Sequence, residues 1–187
     1  MHAMNTIRRT PLVAALVTVA ILVASPVAAR AETPPPGDIP DNQAFVTYRG
    51  AAYSLKVPEG WQRTQKNGGV VFADKYNSIR VDVSAAAKRP TLSTVTRVEL
   101  AKLRATVKGF AQPKIGIVKR PAGTVILVTY RATSAPNAVT GKTVTNDVER
   151  YEFWRGGKLA VLTLQAPKGS DNVDPWKIVT DSLVWKR

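Results

Sequence analysis

Residues 53–61 read YSLKVPEGW, and this stretch is the basis for predicting the fold. Tyr53, Leu55 and Val57 are apolar and alternate with polar residues, which is the period of a β-strand that buries one face. The Pro-Glu-Gly sequence at 58–60 predicts a turn directly after that strand. A chain that begins in this way is expected to form antiparallel strands with one solvated face.

Strand patterns continue through the rest of the chain. Residues 79–85 alternate in the same way, and the unbroken apolar run within 124–130 predicts a strand covered on both faces. Residues 144–154 and 159–165 flank Arg155-Gly156-Gly157, whose composition predicts a hairpin turn. Further short strands are predicted at 70–72, 114–120 and 184–185.

Two helices are predicted between these strands. The first spans residues 93–110, and a second begins with Asp174 as its N-cap and Pro175 in its first position. The first helix has an apolar stripe formed by Leu100, Leu103, Val107 and Phe110. Strands, a helix, more strands and a terminal helix predict an α+β domain, a mainly antiparallel sheet with helices packed on it.

The beginning of the chain predicts export. Residues 1–31 contain a positive region at Arg8 and Arg9, an apolar stretch at 12–23 and an Ala-Arg-Ala cleavage site at 29–31, which is typical of a secretory signal peptide. A retained membrane anchor is the alternative. Residues 32–43 are predicted to form a proline-rich linker, and residues 44–187 a single domain.

The charge of the chain predicts an anionic partner. The 187 residues hold 27 lysines and arginines against 13 acidic residues, a net charge of +14. Removal of the signal leaves 24 basic residues and a net charge of +11. Such a protein outside the cytoplasm is attracted to wall polymers, lipid headgroups and acidic proteins. Nucleic acid is not an expected partner, and no transmembrane span is expected after processing.

The proposed contact surface for that partner lies on the first predicted helix and the strand after it. An ordinary solvated basic surface is the alternative interpretation. The patch consists of Arg97, Arg104, Lys108, Lys114, Lys119 and Arg120.

The composition excludes several kinds of chemistry. The chain has no cysteine, and its one histidine, His2, lies in the predicted signal, so thiol and histidine catalysis are excluded in the processed protein. Residues 140–143 read TGKT, but Pro136 stands where a phosphate-binding loop needs its first glycine. No cofactor, no metal and no enzymatic activity are expected.

The remaining candidates favour structural roles. Asp147 and Glu149 share one face of a predicted strand and Glu152 lies near, but the interleaved Arg150 predicts surface ion pairs rather than a calcium or acid–base site. Ser54 and Lys56 share one face of a predicted strand, so a catalytic serine–lysine dyad stays an alternative. The aromatic residues Tyr151, Phe153 and Trp154 are expected to pack in the core, with a pocket between sheet and helix as the alternative.

Three local patterns resemble the PsbP-like family. They are the strand and turn at 53–61, the sequence VFAD at 71–74 followed by the strand at 79–85, and the strand at 159–165 followed by a helix and Trp185. Within that family the chain is most similar to the actinobacterial LpqN-like lipoproteins, although it lacks the lipoprotein cysteine. The resemblance implies an α-β-α sandwich and a non-enzymatic role.

The expected function is that of an exported binding or docking module at the bacterial cell envelope, which engages a protein or polyanion there. One alternative is a carrier of a small ligand or lipid, with a pocket between sheet and helices. A second alternative is a hydrolase that works without histidine and gathers serine, lysine and carboxylate groups in one cleft.

Overall fold

The computed structural model describes residues 37–137 and 139–187. The predicted signal segment and residues 32–36 of the predicted linker lie outside the described residues. The strands are β1 (Phe45–Arg49), β2 (Tyr53–Pro58), β3 (Gln62–Lys66), β4 (Gly69–Asp74), β5 (Asn77–Ala85), β6 (Ala111–Arg120), β7 (Gly123–Thr133), β8 (Thr145–Arg155), β9 (Lys158–Pro167) and β10 (Val184–Trp185). The helices are α1 (Leu92–Thr94), a π-helical turn (Val95–Glu99), α2 (Leu100–Thr106) and α3 (Val173–Asp181). We call the continuous stretch from α1 to α2 the helical segment.

The strands form two antiparallel sheets. Seven strands pair in the order β3-β4-β5-β9-β8-β7-β6, and three pair in the order β1-β2-β10. Every strand pairing in the two sheets is antiparallel. This arrangement confirms the predicted α+β class with a mainly antiparallel sheet. The predicted strand at 114–120 starts earlier, at Ala111, with an irregularity in the register before Lys114.

The hairpin between β8 and β9 confirms the prediction from its glycines. Arg155 lies opposite Lys158, so that Gly156 and Gly157 form a two-residue turn. Their φ angles are 55° and 79°. A tight hairpin turn of this kind requires positive φ at both central residues, which glycine adopts without a steric penalty.

The main core lies between the seven-stranded sheet and a layer made of the three-stranded sheet and α3. Its largest fully buried side chains come from all three parts. Among them are Leu55 of β2, Phe153 of β8, Leu162 of β9, Val179 of α3 and Leu183.

A second, smaller core covers the opposite face of the seven-stranded sheet. Val95, Leu100 and Leu103 of the helical segment pack against β7 and β8 there, on Val128 and Val148 among others. Helices therefore lie on both sides of the sheet, as an α-β-α sandwich requires. β7 is buried on both faces, with Val125 in one core and Val128 in the other. This confirms the prediction that the apolar run within 124–130 forms a strand covered on both faces.

The first helix ends earlier than predicted. α2 stops at Thr106, and Val107 has an extended backbone with φ −94° and ψ 117°. Gly109 follows with φ +69°, and the carbonyl of Lys108 accepts the backbone N–H of Thr133 at 2.8 Å. This bond to the end of β7 turns the chain directly into β6. Val107 and Phe110 still pack against the second core, but they do so from outside the helix.

The start of the terminal helix also differs from the prediction. α3 begins at Val173 with Asn172 as its N-cap, and no side chain caps it. Asp174 therefore lies inside the first turn, and Pro175 is tolerated there because the first N–H groups of a helix have no partner within it. The amide of Asn172 is already engaged, since it accepts the N–H of Ile39 and donates to the carbonyl of Gly37.

Those bonds involve residues assigned to the linker by sequence. Ile39 is 3% exposed and belongs to the main core. The backbone N–H of Asp171 also donates to a carboxylate oxygen of Asp38 at 3.0 Å. The described part of the predicted linker is therefore attached to the domain at Asp38 and Ile39.

Candidate functional site

Positive charge is concentrated in one part of the fold. Residues 88–120, which contain the helical segment and β6, hold nine lysines and arginines and one acidic residue, Glu99. The carboxylate of Glu99 forms an ion pair with Arg150 of β8, with 3.3 Å between oxygen and nitrogen. The one negative charge of residues 88–120 is thus neutralised by Arg150, which lies outside that stretch.

Four of the six residues of the predicted patch lie on the side of the sheet that carries the helical segment. Arg97, Arg104 and Lys108 are exposed on that segment or just after it. Lys119 lies opposite Thr124 in the pairing of β6 with β7. It therefore projects to the same face as alternate residues of β7 that contact the helical segment. We call these four residues the basic side; none of them is paired with a carboxylate of the described residues.

The other two residues of the patch face the opposite side of the sheet. Lys114 lines a small cleft that also contains Glu149, two strands away. Arg120 forms an ion pair with Asp181 at 3.5 Å and donates hydrogen bonds to Thr180 at 3.0 Å and to the hydroxyl of Tyr151 at 3.2 Å. The six predicted residues therefore do not form one surface.

The cleft on that side holds balanced charges. The hydroxyl of Tyr151 donates to Glu149 at 2.6 Å, and Arg131 pairs with Asp147 at 3.1 Å. Burial, followed by the contact with Glu149, raises the pKa of Tyr151. Asp147 and Glu149 do share a strand face, but their partners are Arg131 and the hydroxyl of Tyr151. Arg150, from which the pairing was inferred, faces the other side of the sheet and pairs with Glu99. In the described ranges, no group of three or more acidic, histidine or cysteine residues is placed to hold a metal ion.

Glu152 does not belong with these carboxylates. It projects from the opposite face of β8 and lines a groove of about 450 Å³ at the start of the helical segment. Its side chain is 2% exposed, and its pKa is raised, mainly because burial disfavours the charged form. The positive charge of Arg150 opposes that shift, and the negative charge of Glu99 adds to it. Glu152 is thus buried on the other face of β8 and, contrary to what its position in the sequence suggests, does not lie near the surface pairs.

Several solved structures are similar to this chain in fold. No family model and no curated protein matches the sequence. The solution structure of cyanobacterial PsbP from Synechocystis matches with a TM-score of 0.51 and 16% identity, over 87% of this chain and all of that one. The chain has a PsbP-like fold.

Two further solved structures are similar to this PsbP-like domain at lower TM-scores. LpqN of Mycobacterium tuberculosis, involved in cell envelope biogenesis, has a TM-score of 0.42 and 14% identity, over 78% of this chain and 91% of LpqN. A protein of Bacteroides thetaiotaomicron has a TM-score of 0.47 and 14% identity. The match covers 72% of this chain, which spans 45% of that protein's length.

The PsbP-like domain also has an open groove of about 770 Å³ between α3 and the three-stranded sheet. It contains Ser54, Lys56 and Ser182, the residue types of a serine–lysine dyad. The hydroxyl of Ser182 accepts the backbone N–H of Lys56 at 2.7 Å and donates to the carbonyl of Val179 at 2.8 Å. In the part of the chain that the structure describes, no serine hydroxyl is hydrogen-bonded to a lysine amine.

The aromatic residues of β8 divide between the two faces of the sheet. Tyr151 and Phe153 are buried in the main core, as expected. Trp154 projects to the opposite face and donates its indole N–H to the carbonyl of Ala86 at 2.8 Å.

Among the described helices, none is both long enough and apolar enough to cross a membrane.

Proposed function

We propose that this protein is an exported, non-enzymatic binding module of the cell envelope, and that its basic side docks to an anionic wall polymer or lipid surface. The observation that carries the proposal is the placement of nine basic residues and one neutralised acid in the stretch from 88 to 120. This stretch supplies +8 of the formal charge of +14.

The geometry suits a partner that carries repeated negative charge. The four cations of the basic side come from separate elements on one side of the sheet, and no carboxylate of the described residues pairs with them. A lysine or arginine near an anionic membrane surface contributes about 1 kcal/mol. Several such contacts together would retain the protein at low salt. Retention would weaken as the screening length falls from about 10 Å at 0.1 M salt to about 3 Å at 1 M.

Export is part of the same proposal. Processing after Ala31 would place Glu32 at the start of the mature chain, and the Ala-Arg-Ala sequence before that position supports it. N-terminal sequencing of secreted protein is expected to begin at Glu32. Recovery of the intact chain in the membrane fraction would instead support a retained anchor.

Charge reversal on the helical segment tests the docking. The triple variant Arg97→Glu, Arg104→Glu, Lys108→Glu changes exposed positions outside both cores, so we expect it to fold like the wild type. Purified protein is mixed with isolated bacterial cell envelopes at low salt and separated by sedimentation. The wild type should sediment with the envelopes, and the triple variant should remain in solution.

A matched control separates the site from net charge alone. The control variant changes net charge by the same amount, but on or near strands at the opposite edge of the sheet. It carries the substitutions Arg63→Glu, Lys66→Glu and Lys75→Glu. The control variant should still bind. If both variants lose envelope binding equally, the effect is due to overall charge alone. If the triple variant on the helical segment binds as tightly as the wild type, the proposed docking surface is refuted. Vesicles of phosphatidylglycerol and phosphatidylcholine, run in parallel, distinguish lipid from wall polymer.

A further inference from the structure

The groove beside Glu152 has the dimensions and lining of a small-molecule site. It opens between the start of the helical segment and strands β6 to β8, and its volume of about 450 Å³ lies in the range of ligand pockets. Leu92 and Ile117 form part of its wall and are 42% and 57% exposed. Ile126 of β7 adds further apolar surface. It is a pocket between sheet and helices, which the carrier alternative requires.

A carboxylate oxygen without a hydrogen-bond donor lies at this groove. Glu152 is buried, and its Oε1 atom has no hydrogen-bond partner. Arg150 forms a long ion pair with it: the Nε of Arg150 lies 3.5 Å from that oxygen and likewise has no hydrogen-bond partner. The guanidinium of Arg150 instead reaches Glu99 through Nη2. A buried acceptor without a donor is unfavourable, and a donor delivered by a ligand would relieve this.

We propose that the groove binds a small amphiphile, whose apolar body lies against Leu92 and Ile117 and whose hydroxyl or ammonium group donates a hydrogen bond to Glu152. This site uses none of the four residues of the basic side. The two proposals can therefore be tested separately, and failure of polyanion docking would not affect this one.

The charges around the groove define the head group. Glu152 is the carboxylate that lines the groove, and its buried oxygen without a hydrogen-bond donor favours a donor or a cation over a second carboxylate. Arg89 lies at the rim, where its guanidinium is bound to the carbonyl of Thr124. An ammonium group would gain an ion pair with ionised Glu152 and lose it when the pH is lowered enough to protonate that side chain. A hydroxyl group would bind with much less dependence on pH.

Calorimetric titration with three eight-carbon probes tests the head group. We expect 1-octanol and octylammonium to bind the purified protein, and octanoate to bind at least tenfold more weakly than octylammonium. Glu152→Leu should weaken both donor probes about tenfold or more, as expected for loss of a hydrogen bond to a charged group. Glu152→Gln keeps an acceptor of similar shape, so it should retain 1-octanol binding and weaken octylammonium.

A second pair of variants tests the apolar wall. Ile117→Lys places a charge on that wall at an exposed position of an edge strand, where lysine is well tolerated. It should weaken both donor probes about tenfold. Val98→Lys makes the same change at a 61% exposed position of the helical segment that does not line the groove, and should leave binding unchanged. Circular dichroism verifies the fold of each variant. The proposal is overturned if neither donor probe binds the wild type, or if both bind Glu152→Gln, Glu152→Leu and Ile117→Lys as tightly as the wild type.

Discussion

Asn172 and Ile39 are joined by a hydrogen bond across 133 residues of the chain. The Oδ1 atom of Asn172 accepts the backbone N–H of Ile39 at 2.7 Å, and its Nδ2 atom donates to the carbonyl of Gly37 at 2.9 Å. The side chain of Asn172 is among the fully buried ones. One amide thus satisfies two backbone groups of the segment that precedes β1, and it holds that segment next to the start of α3.

Replacement of this amide is expected to destabilise the domain. Asn172→Ala leaves the N–H of Ile39 without its acceptor, which should lower the free energy of unfolding by about 2 kcal/mol. Urea denaturation measures the change. Asp171→Ala is the matched control, because the bond from residue 171 to Asp38 uses the backbone N–H and survives the substitution. Equal stability of the two variants would mean that the bonds of Asn172 contribute nothing.

Truncation tests whether residues 37–43 belong to the folded domain. A protein that starts at Gly37 retains Ile39, whereas one that starts at Ala44 loses a buried isoleucine whose burial is worth about 1.5–3 kcal/mol. The shorter protein should therefore unfold at a lower urea concentration than the longer one. Identical unfolding midpoints would support the sequence-based assignment of these residues to a linker.

Gly109 is expected to resist substitution more than a glycine in an open loop. A β-carbon at this position would collide with the hydroxyl oxygen of Thr133 and lie 3.0 Å from its backbone nitrogen, in addition to the strain of φ +69°. Gly109→Ala should cost about 3 kcal/mol. Gly141→Ala has a similar φ of +66° but meets no atom within 4 Å, so it should cost about 1 kcal/mol. Thermal unfolding of both variants measures the difference, and equal costs would rule out a contribution from the close approach.

Glu152 is expected to make stability fall as the pH rises. Burial raises its pKa in the folded protein, so the unfolded chain loses the proton first and unfolding becomes more favourable over that pH range. Glu152→Gln removes this effect. As the pH rises above about 4, over the range in which Glu152 loses its proton, the free energy of unfolding of the variant should therefore rise relative to the wild type. Urea titrations across the range measure it, with exposed Glu59→Gln as the control for loss of a carboxylate. A constant difference between variant and wild type would contradict the prediction.

The parts of the fold that were predictable from sequence have one buried and one solvated face, or a turn with a specific backbone requirement. The strand at 53–58 and the hairpin at Gly156 and Gly157 are examples. β3 was not predicted, because its five residues QRTQK are all exposed and polar, and an edge strand without a buried face has no apolar alternation.

The π-helical turn could not be predicted from a regular helical period. Val95 and Leu100 are both buried although they are five positions apart, a spacing that would place them about 140° apart around an α-helix. The N–H of Leu100 donates to the carbonyl of Val95, and this wider turn brings both side chains onto the sheet.

Strand alternation alone separates some of the residues that were grouped in the candidate sites. Lys114 and Lys119 are separated by an odd number of positions in one strand, as are Glu149 and Glu152, so each pair must face opposite sides of the sheet. Alternation thus already divides the predicted patch. The burial of Glu152 was not predictable in this way, because it depends on how the helical segment covers β8.

The two hydrophobic cores lie on opposite faces of one sheet, and the helical segment contributes only to the smaller one. Detachment of that segment would expose part of β7 and β8 while Leu162 and Leu164 stay enclosed on the other face. Such local opening requires less free energy than global unfolding, so amide hydrogens of the helical segment should exchange with solvent before those of β9. A partner that binds the opened state would then gain access to Ile126 and Val128 without melting the rest of the molecule.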